Sequence, residues 1–193
     1  MRFTDLSDNR LVTRYIQGEN KALEALILRH KAKIFTSILM LVKDDELAED
    51  IFQETFIKVI NTLKKGNYQE EGKFLPWVMR IAHNLVIDHF RKSKRMPMVR
   101  DTDEFAITDT LKLDEENIED QMINNRVTEQ VRLLIDLLPP EQREVVVMRH
   151  YAGMSFKEIA DITNVSINTS LGRMRYALIN LRKIIEEKEL QLI

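Results

Sequence analysis

The residues of this 193-residue chain best equipped for molecular recognition are hydrogen-bonding side chains strung along positions 155–175. Ser155 with Glu158 three positions later has the pattern of a capping box, in which each residue satisfies backbone groups at the start of a helix. Ala160 is small where two helices must cross closely. Asn164 stands at the turn, where a left-handed backbone is needed and Asn tolerates it. Ile159, Ile162, Val165 and Ile167 can pin the two helices together. Ser166 can cap the second, leaving Asn168, Thr169, Ser170, Arg173 and Arg175 to project towards a DNA groove. Arginine can meet phosphates or base edges there, while Ser and Thr reach nearby acceptors and thymine methyls. An ordinary helical hairpin with a charged exposed face is the plainer alternative. Cap, small residue, turn residue and basic second helix all favour a helix-turn-helix. Glu186 and Glu187 argue against extending a DNA surface past Arg182 and Lys183.

A second stretch, Phe74–Arg95, is amphipathic and then basic. Trp77, Ile81, Leu85 and Phe90 suit a core, and Arg80, Arg91, Lys92, Lys94 and Arg95 suit a phosphate backbone. A basic helix end is by itself equally consistent with simple solvation. Catalytic chemistry finds less support. The absence of cysteine excludes disulfides, thiolate metal sites and a thiol nucleophile. Asp50 and Glu54 lie one helical turn apart, but His83 and His89 are six residues apart, off the spacing of a helical metal pair. No glycine-rich phosphate loop or nucleophile elbow is present. We therefore expect no catalytic residue, no metal, no cofactor and no small-molecule substrate, with His30, His83, His89 and His150 at core edges or on the surface.

The elements that must position these residues are all helical. Apolar residues make up 44% of the chain, Gly and Pro number only five and four, and the apolar residues recur at three-four spacing. The pattern predicts helices over 8–17, 20–42, 46–63, 73–93, 118–137, 141–151, 155–163 and 166–188. Asp44 and Asp45 can cap the third, and residues 64–72 form a polar loop. Pro76 falls in a first turn, where its missing N–H costs little. Pro139 and Pro140 end one helix, and Pro140 can open the next. The net charge of −2 hides a division: residues 101–120 carry nine acids against Lys112 alone, so that stretch is −8 and the remainder +6. The reading is an all-α chain of two small helical domains, 1–95 and 120–193, joined by an acidic linker over 96–119. That linker is either a solvated tether or a competitor with nucleic acid for the basic surfaces beside it. The N-terminus lacks the apolar core of a signal peptide and no run reaches membrane-spanning length, so membrane insertion is not expected and a cytoplasmic location is.

Taken together, these segments resemble the extracytoplasmic-function sigma factors, specificity subunits of RNA polymerase. Ala48-Glu-Asp-Ile-Phe-Gln-Glu-Thr-Phe-Ile-Lys-Val is similar to their region 2.2, and Phe74–Arg95 to regions 2.3 and 2.4. Leu138-Pro-Pro-Glu-Gln-Arg-Glu-Val-Val, Ser155–Thr163 and Thr169–Arg173 resemble region 4. The resemblance covers both domains in order and implies an RNA polymerase core partner, through its β′ and β subunits, as well as promoter DNA and an anti-sigma factor. Asp50, Gln53, Glu54 and Phe56 would dock on the clamp coiled coil, with Phe56 either in contact or in the core. Asn67 and Tyr68 would capture an unstacked −10 base, an amide suiting a base edge and a ring offering stacking. Arg80, Asn84, Arg91 and Lys92 would hold the −10 strand. Arg149, Asn168, Thr169, Ser170, Leu171, Arg173 and Met174 would read the −35 element. The family often carries Gly-Thr-Val-Lys-Ser-Arg in that last helix, where this chain has Asn168-Thr-Ser-Leu-Gly-Arg. A regulator that binds duplex DNA through 138–188 without docking on polymerase is the rival reading.

Overall fold

The computed structural model describes residues 3–68, 72–95 and 130–187. The predicted acidic linker, and the start of the helix predicted over 118–137, lie outside them. After a 3-10 turn at Phe3–Asp5 come α1 (Asp8–Ile16), α2 (Asn20–Val42), α3 (Asp45–Lys64) and α4 (Phe74–Arg95). Residues 130–136 are helical and are called α5. The chain continues through α6 (Pro140–His150), α7 (Phe156–Thr163) and α8 (Ile167–Glu187).

Local chemistry sets the ends of these helices. Asp44 accepts from the Leu47 N–H at 2.9 Å and caps α3. Pro140 opens α6, where its lack of an N–H removes nothing. α2 ends on Lys43 in the left-handed region, φ 60 and ψ 33, with its N–H donating to the Leu39 carbonyl. A non-glycine residue held there costs about 1–2 kcal/mol. The Lys43 side chain also ties α2 to the end of α5. Its Nζ lies 3.1 Å from the Asp136 carbonyl oxygen and 3.2 Å from the Asp136 carboxylate.

α1 to α4 bury one face each. Leu11, Val12, Leu26, Ile34, Ile38, Ala48, Val59, Leu63, Phe74 and Val78 form the centre of their core. Asp8 pins α1 to α2 through Arg29 (2.6 Å) and His30 (2.8 Å). In α2, Met40 points away from this core into a second cluster with Ile135, Leu138, Val146, Val147 and Ala177.

α6 is the hinge of the packing. Four consecutive residues, Val145 to Met148, are all buried. Val145 and Met148 join the cluster containing α1–α4, while Val146 and Val147 join the second. A turn of helix that is apolar all round must be covered all round, and here α2, α7 and α8 all pack on α6. Arg143 reaches back to the Asp136 and Leu138 carbonyls at 2.9 and 3.1 Å, holding the end of α5 on α6. Asn180 donates to Gln142 at 2.8 Å, holding α8. The two helical groups predicted as separate units thus contact each other directly, and α4 also touches α7.

Candidate nucleic-acid interface

The helix-turn-helix forms as its residues dictate. Ser155 accepts from the Glu158 N–H while the Glu158 carboxylate accepts from the Ser155 N–H at 2.8 Å, completing the capping box. Asn164 takes the left-handed conformation, φ 54 and ψ 45, at the turn. Ser166 accepts from the Thr169 N–H at 3.0 Å and so starts α8, with the Thr169 hydroxyl 2.9 Å away. Ile159, Ala160 and Ile162 are buried beneath the turn, but Ile167 is not: it stays 46% exposed at the tip of α8.

The phase of α8 then decides which side chains face outward. Asn168, Thr169, Leu171 and Arg175 are exposed, and Ile167 extends the same end of the helix. Ser170 departs from expectation. It is wholly buried, its Oγ has no hydrogen-bond partner, and it cannot present to a groove from this position. Met174 likewise turns inward and packs against both apolar clusters. Arg173 is half-buried, its Nη1 3.8 Å from the Glu144 carboxylate on α6. Gly172 has open space where a side chain would sit: a Cβ built there meets no atom within 4 Å. Arg149 is exposed at the end of α6. Its guanidinium donates to the Met154 carbonyl at 2.8 Å and lies 5.1 Å from the centre of the Phe156 ring, which fixes the loop before α7. Burial beside it raises the pKa of Tyr151 above its ordinary value, against the opposing pull of Arg132.

On α4, Arg80, Asn84, Arg91 and Lys92 are all exposed, with Arg80, Asn84, Ile87 and Arg91 along one face. Arg91 is paired to Asp88 at 2.9 Å, so part of its charge is already answered within the helix. His83, one position from Asn84, is buried against Glu144 at 2.5 Å. The loop before α4 turns at Gly66 (φ 69), and the Asn67 N–H donates to the Thr62 carbonyl at 3.2 Å. This leaves the Asn67 side chain exposed. Tyr68 is half-buried, its ring centre 4.3 Å from that of Trp77 and edge-on to Phe74. An aromatic step therefore lies beside an exposed amide, an arrangement able to hold an unstacked base.

On α3, Asp50, Gln53 and Glu54 are exposed on one side, and Glu54 pairs with Lys58 at 3.2 Å. Ile57 continues this side at 58% exposure, a residue the sequence reasoning missed. The signal was available, since Ile57 lies out of phase with the buried Ile51, Thr55, Phe56 and Val59. Phe56 belongs to the core: it is 6% exposed and stacks at 4.9 Å on Phe52, which in turn meets Phe35. Of the two places open to Phe56, contact with polymerase or the core, it takes the core and not the docking face. Among the described residues no group of His, Asp and Glu could hold a metal, and no helix is long and apolar enough to cross a membrane.

Comparison with known proteins matches both halves. Residues 26–96 fit the sigma-70 region 2 family and residues 128–173 fit sigma-70 region 4. The RNA polymerase sigma-H factor of Pseudomonas aeruginosa is 30% identical over 175 residues, covering 89% of this chain and 90% of that protein. The ECF RNA polymerase sigma-E factor of Escherichia coli is 28% identical over 193 residues, with 97% of each chain covered. Among solved structures, CnrH in complex with the cytosolic domain of CnrY superposes with a TM-score of 0.66 at 20% identity, over 94% of this chain and 99% of that one. The sigma factor RpoE of Bartonella quintana, solved with the anti-sigma factor NepR, gives 0.66 at 17% identity, over 86% and 98%. A DNA-reading helix-turn-helix, a basic helix behind an aromatic step and this two-part match over most of the chain lead to one conclusion: the protein belongs to the sigma-70 family, as a sigma factor of the extracytoplasmic-function type that binds RNA polymerase and directs it to promoters.

Proposed function

We propose that this sigma factor docks on the polymerase β′ subunit through the exposed side of α3, opens promoters with the 65–95 segment, and reads the −35 element with the outer side of α8. The observation that carries the reading is the division of exposed polar side chains among three separate surfaces. Asp50, Gln53 and Glu54 form an acidic-amide row suited to a protein partner, with Ile57 adding an apolar contact. Asn67, Tyr68, Arg80, Asn84 and Lys92 gather an amide, an aromatic ring and cations, the groups that hold a single strand. Asn168, Thr169, Leu171 and Arg175 offer base-edge, methyl and phosphate contacts to a duplex. Arg173 acts from behind them, held towards Glu144.

The protein supplies recognition and polymerase supplies the chemistry, so this chain acts without catalysis of its own and without a cofactor. Its place of work is the cytoplasm, where polymerase and promoter meet. An anti-sigma factor is the proposed regulatory partner, by analogy with the two complexes above. The test is run-off transcription from genomic fragments with core polymerase of the same organism, with and without this protein. Promoter-specific initiation only in its presence is the expected result. Duplex binding without any initiation would favour a free-standing regulator instead.

A further inference from the structure

We propose that Ile87 reads a thymine methyl group in the paired DNA just upstream of the opened −10 segment, and so takes part in choosing which promoters this sigma factor uses. The inference rests on the −10 reading above and adds a base-selecting residue to it. The outward face of α4 runs Arg80, Asn84, Ile87 and Arg91, one position per turn. Three of these are polar. Ile87 is 47% exposed, and among the described residues it is the large apolar side chain that α4 leaves in water. A single exposed apolar residue is ordinary on a protein surface and needs no partner. What sets this one apart is its company, since it continues a face whose other members contact the promoter strand. Arg91, one turn further on, is drawn round the helix to Asp88 at 2.9 Å, which leaves Ile87 uncovered.

The position of Ile87 along α4 selects the DNA it meets. The Tyr68 and Trp77 rings, 4.3 Å apart, mark the place where an unstacked base is held, and hence the edge of the opened segment. Ile87 stands ten residues beyond Trp77, which is about 15 Å along the helix axis at 1.5 Å per residue. For a strand that follows this face, the distance is about four nucleotide steps of 3.4 Å. The direction is upstream, because the chain beyond α4 leads to the half that reads the −35 element. Ile87 therefore lies over base pairs that are still stacked.

The chemistry of those base edges then names the partner. Facing the major groove, the bases present hydrogen-bond donors and acceptors, and the C5 methyl of thymine is the apolar exception. Isoleucine has nothing to bond with. A polar edge pressed against it would give up water and gain no hydrogen bond in return. A thymine methyl loses nothing by the same contact and hides apolar surface.

The test is promoter opening by the holoenzyme on fragments found by run-off transcription, with the upstream edge of the bubble located by permanganate reactivity. Thymine or deoxyuridine, which pairs alike and lacks only the methyl, is placed in either strand at each position about three to five base pairs upstream of that edge. At one of them the wild type should open the thymine fragment about fourfold more readily, the effect of burying one methyl group. Ile87→Ala should open both fragments equally. Ile87→Val should restore most of the difference, a recovery that a merely disturbed helix would not give. Arg80→Ala and Lys92→Ala should slow both fragments and keep their ratio. A ratio near one in the wild type at every position, or the wild-type ratio kept by Ile87→Ala, overturns the assignment; if Arg80→Ala and Lys92→Ala still slow opening, the −10 reading stands without it. A ratio that follows Ile87 while those two variants open promoters normally upholds the methyl contact and rejects the strand contacts instead.

Discussion

Replacing Gly172 with alanine adds one methyl group to the second turn of α8, and the surroundings define what that group should do. Its backbone is not in the positive-φ region that favours glycine, and the new Cβ would meet no atom within 4 Å. Neither strain nor overlap opposes the substitution. What remains is the intrinsic cost of glycine inside a helix, about 0.8–1 kcal/mol relative to alanine, which the variant recovers. That is about a fivefold shift in the folding equilibrium. For a chain of this size it corresponds to a rise of roughly 2–4 °C in Tm. Urea titration followed by circular dichroism is the suitable assay, because a pure stability gain moves the midpoint and leaves the slope unchanged. A midpoint that falls or does not move would refute the packing argument. The same variant addresses recognition independently. If the bare backbone at Gly172 lets DNA approach closely, Gly172→Ala should weaken −35-dependent initiation while the protein becomes more stable. Opposite signs in the two assays would assign the glycine to DNA, whereas unimpaired initiation would release it from that role.

Other expectations follow from burial and charge. Asp50→Ala combined with Gln53→Ala should weaken binding to core polymerase while shifting stability by no more than about 0.5 kcal/mol, as exposed positions do; equilibrium binding to labelled core, beside a urea titration, separates the two. Phe56→Ala should instead cost about 3–5 kcal/mol of stability, because it empties part of the region 2 core, and a variant as stable as the wild type would contradict the ring stacking described above. Burial raises the Tyr151 pKa, so between the unfolded value near 10 and the higher folded value the native state holds more protons than the unfolded state. The stability contributed by the neutral phenol is complete below pH ~10 and is lost as pH rises through the folded pKa. Tyr151→Phe should flatten that alkaline decline in denaturation midpoints, and an equally steep decline in the variant would remove Tyr151 as its source.

The parts of this molecule legible from sequence were those governed by chemistry within a few residues. Ser155, Glu158, Asn164, Ser166, Asp44 and Pro140 each act on backbone groups within one turn, so their roles do not depend on distant packing. The inward turn of Ser170 and Met174 was harder to read. Both sit among polar and exposed neighbours, and only the position of α8 against α6 and the second apolar cluster sets which angle is covered. Phe56 posed a different problem: its motif left it between contact and core, and the helical phase it shares with Phe52 and Val59 places it inside. Contact between the halves left two signals in the sequence, the apolar runs at 38–42 and 145–148. Both exceed what a one-sided amphipathic helix needs. Neither run names its partner, since non-local pairing leaves no spacing to read. Glu144 with His83 is a pairing of that kind, 61 residues apart in the chain.

The unbroken burial of Val145, Val146, Val147 and Met148 also bears on how this sequence can change. A one-sided helix offers evolution a dry face to conserve in volume and a wet face to vary freely. Here the turn of α6 from Val145 to Met148 has no wet side, so within it there is no neutral direction for substitution to explore. A larger side chain at Val145 or Met148 presses on the cluster shared by α1–α4 and α7, and at Val146 or Val147 on the cluster of Met40, Ile135, Leu138 and Ala177. Mutational tolerance should therefore reach its minimum in this four-residue stretch, whose side chains are buried and form no part of the surfaces proposed for DNA and polymerase. A screen for loss of transcription would collect its hits there as readily as on the recognition helix.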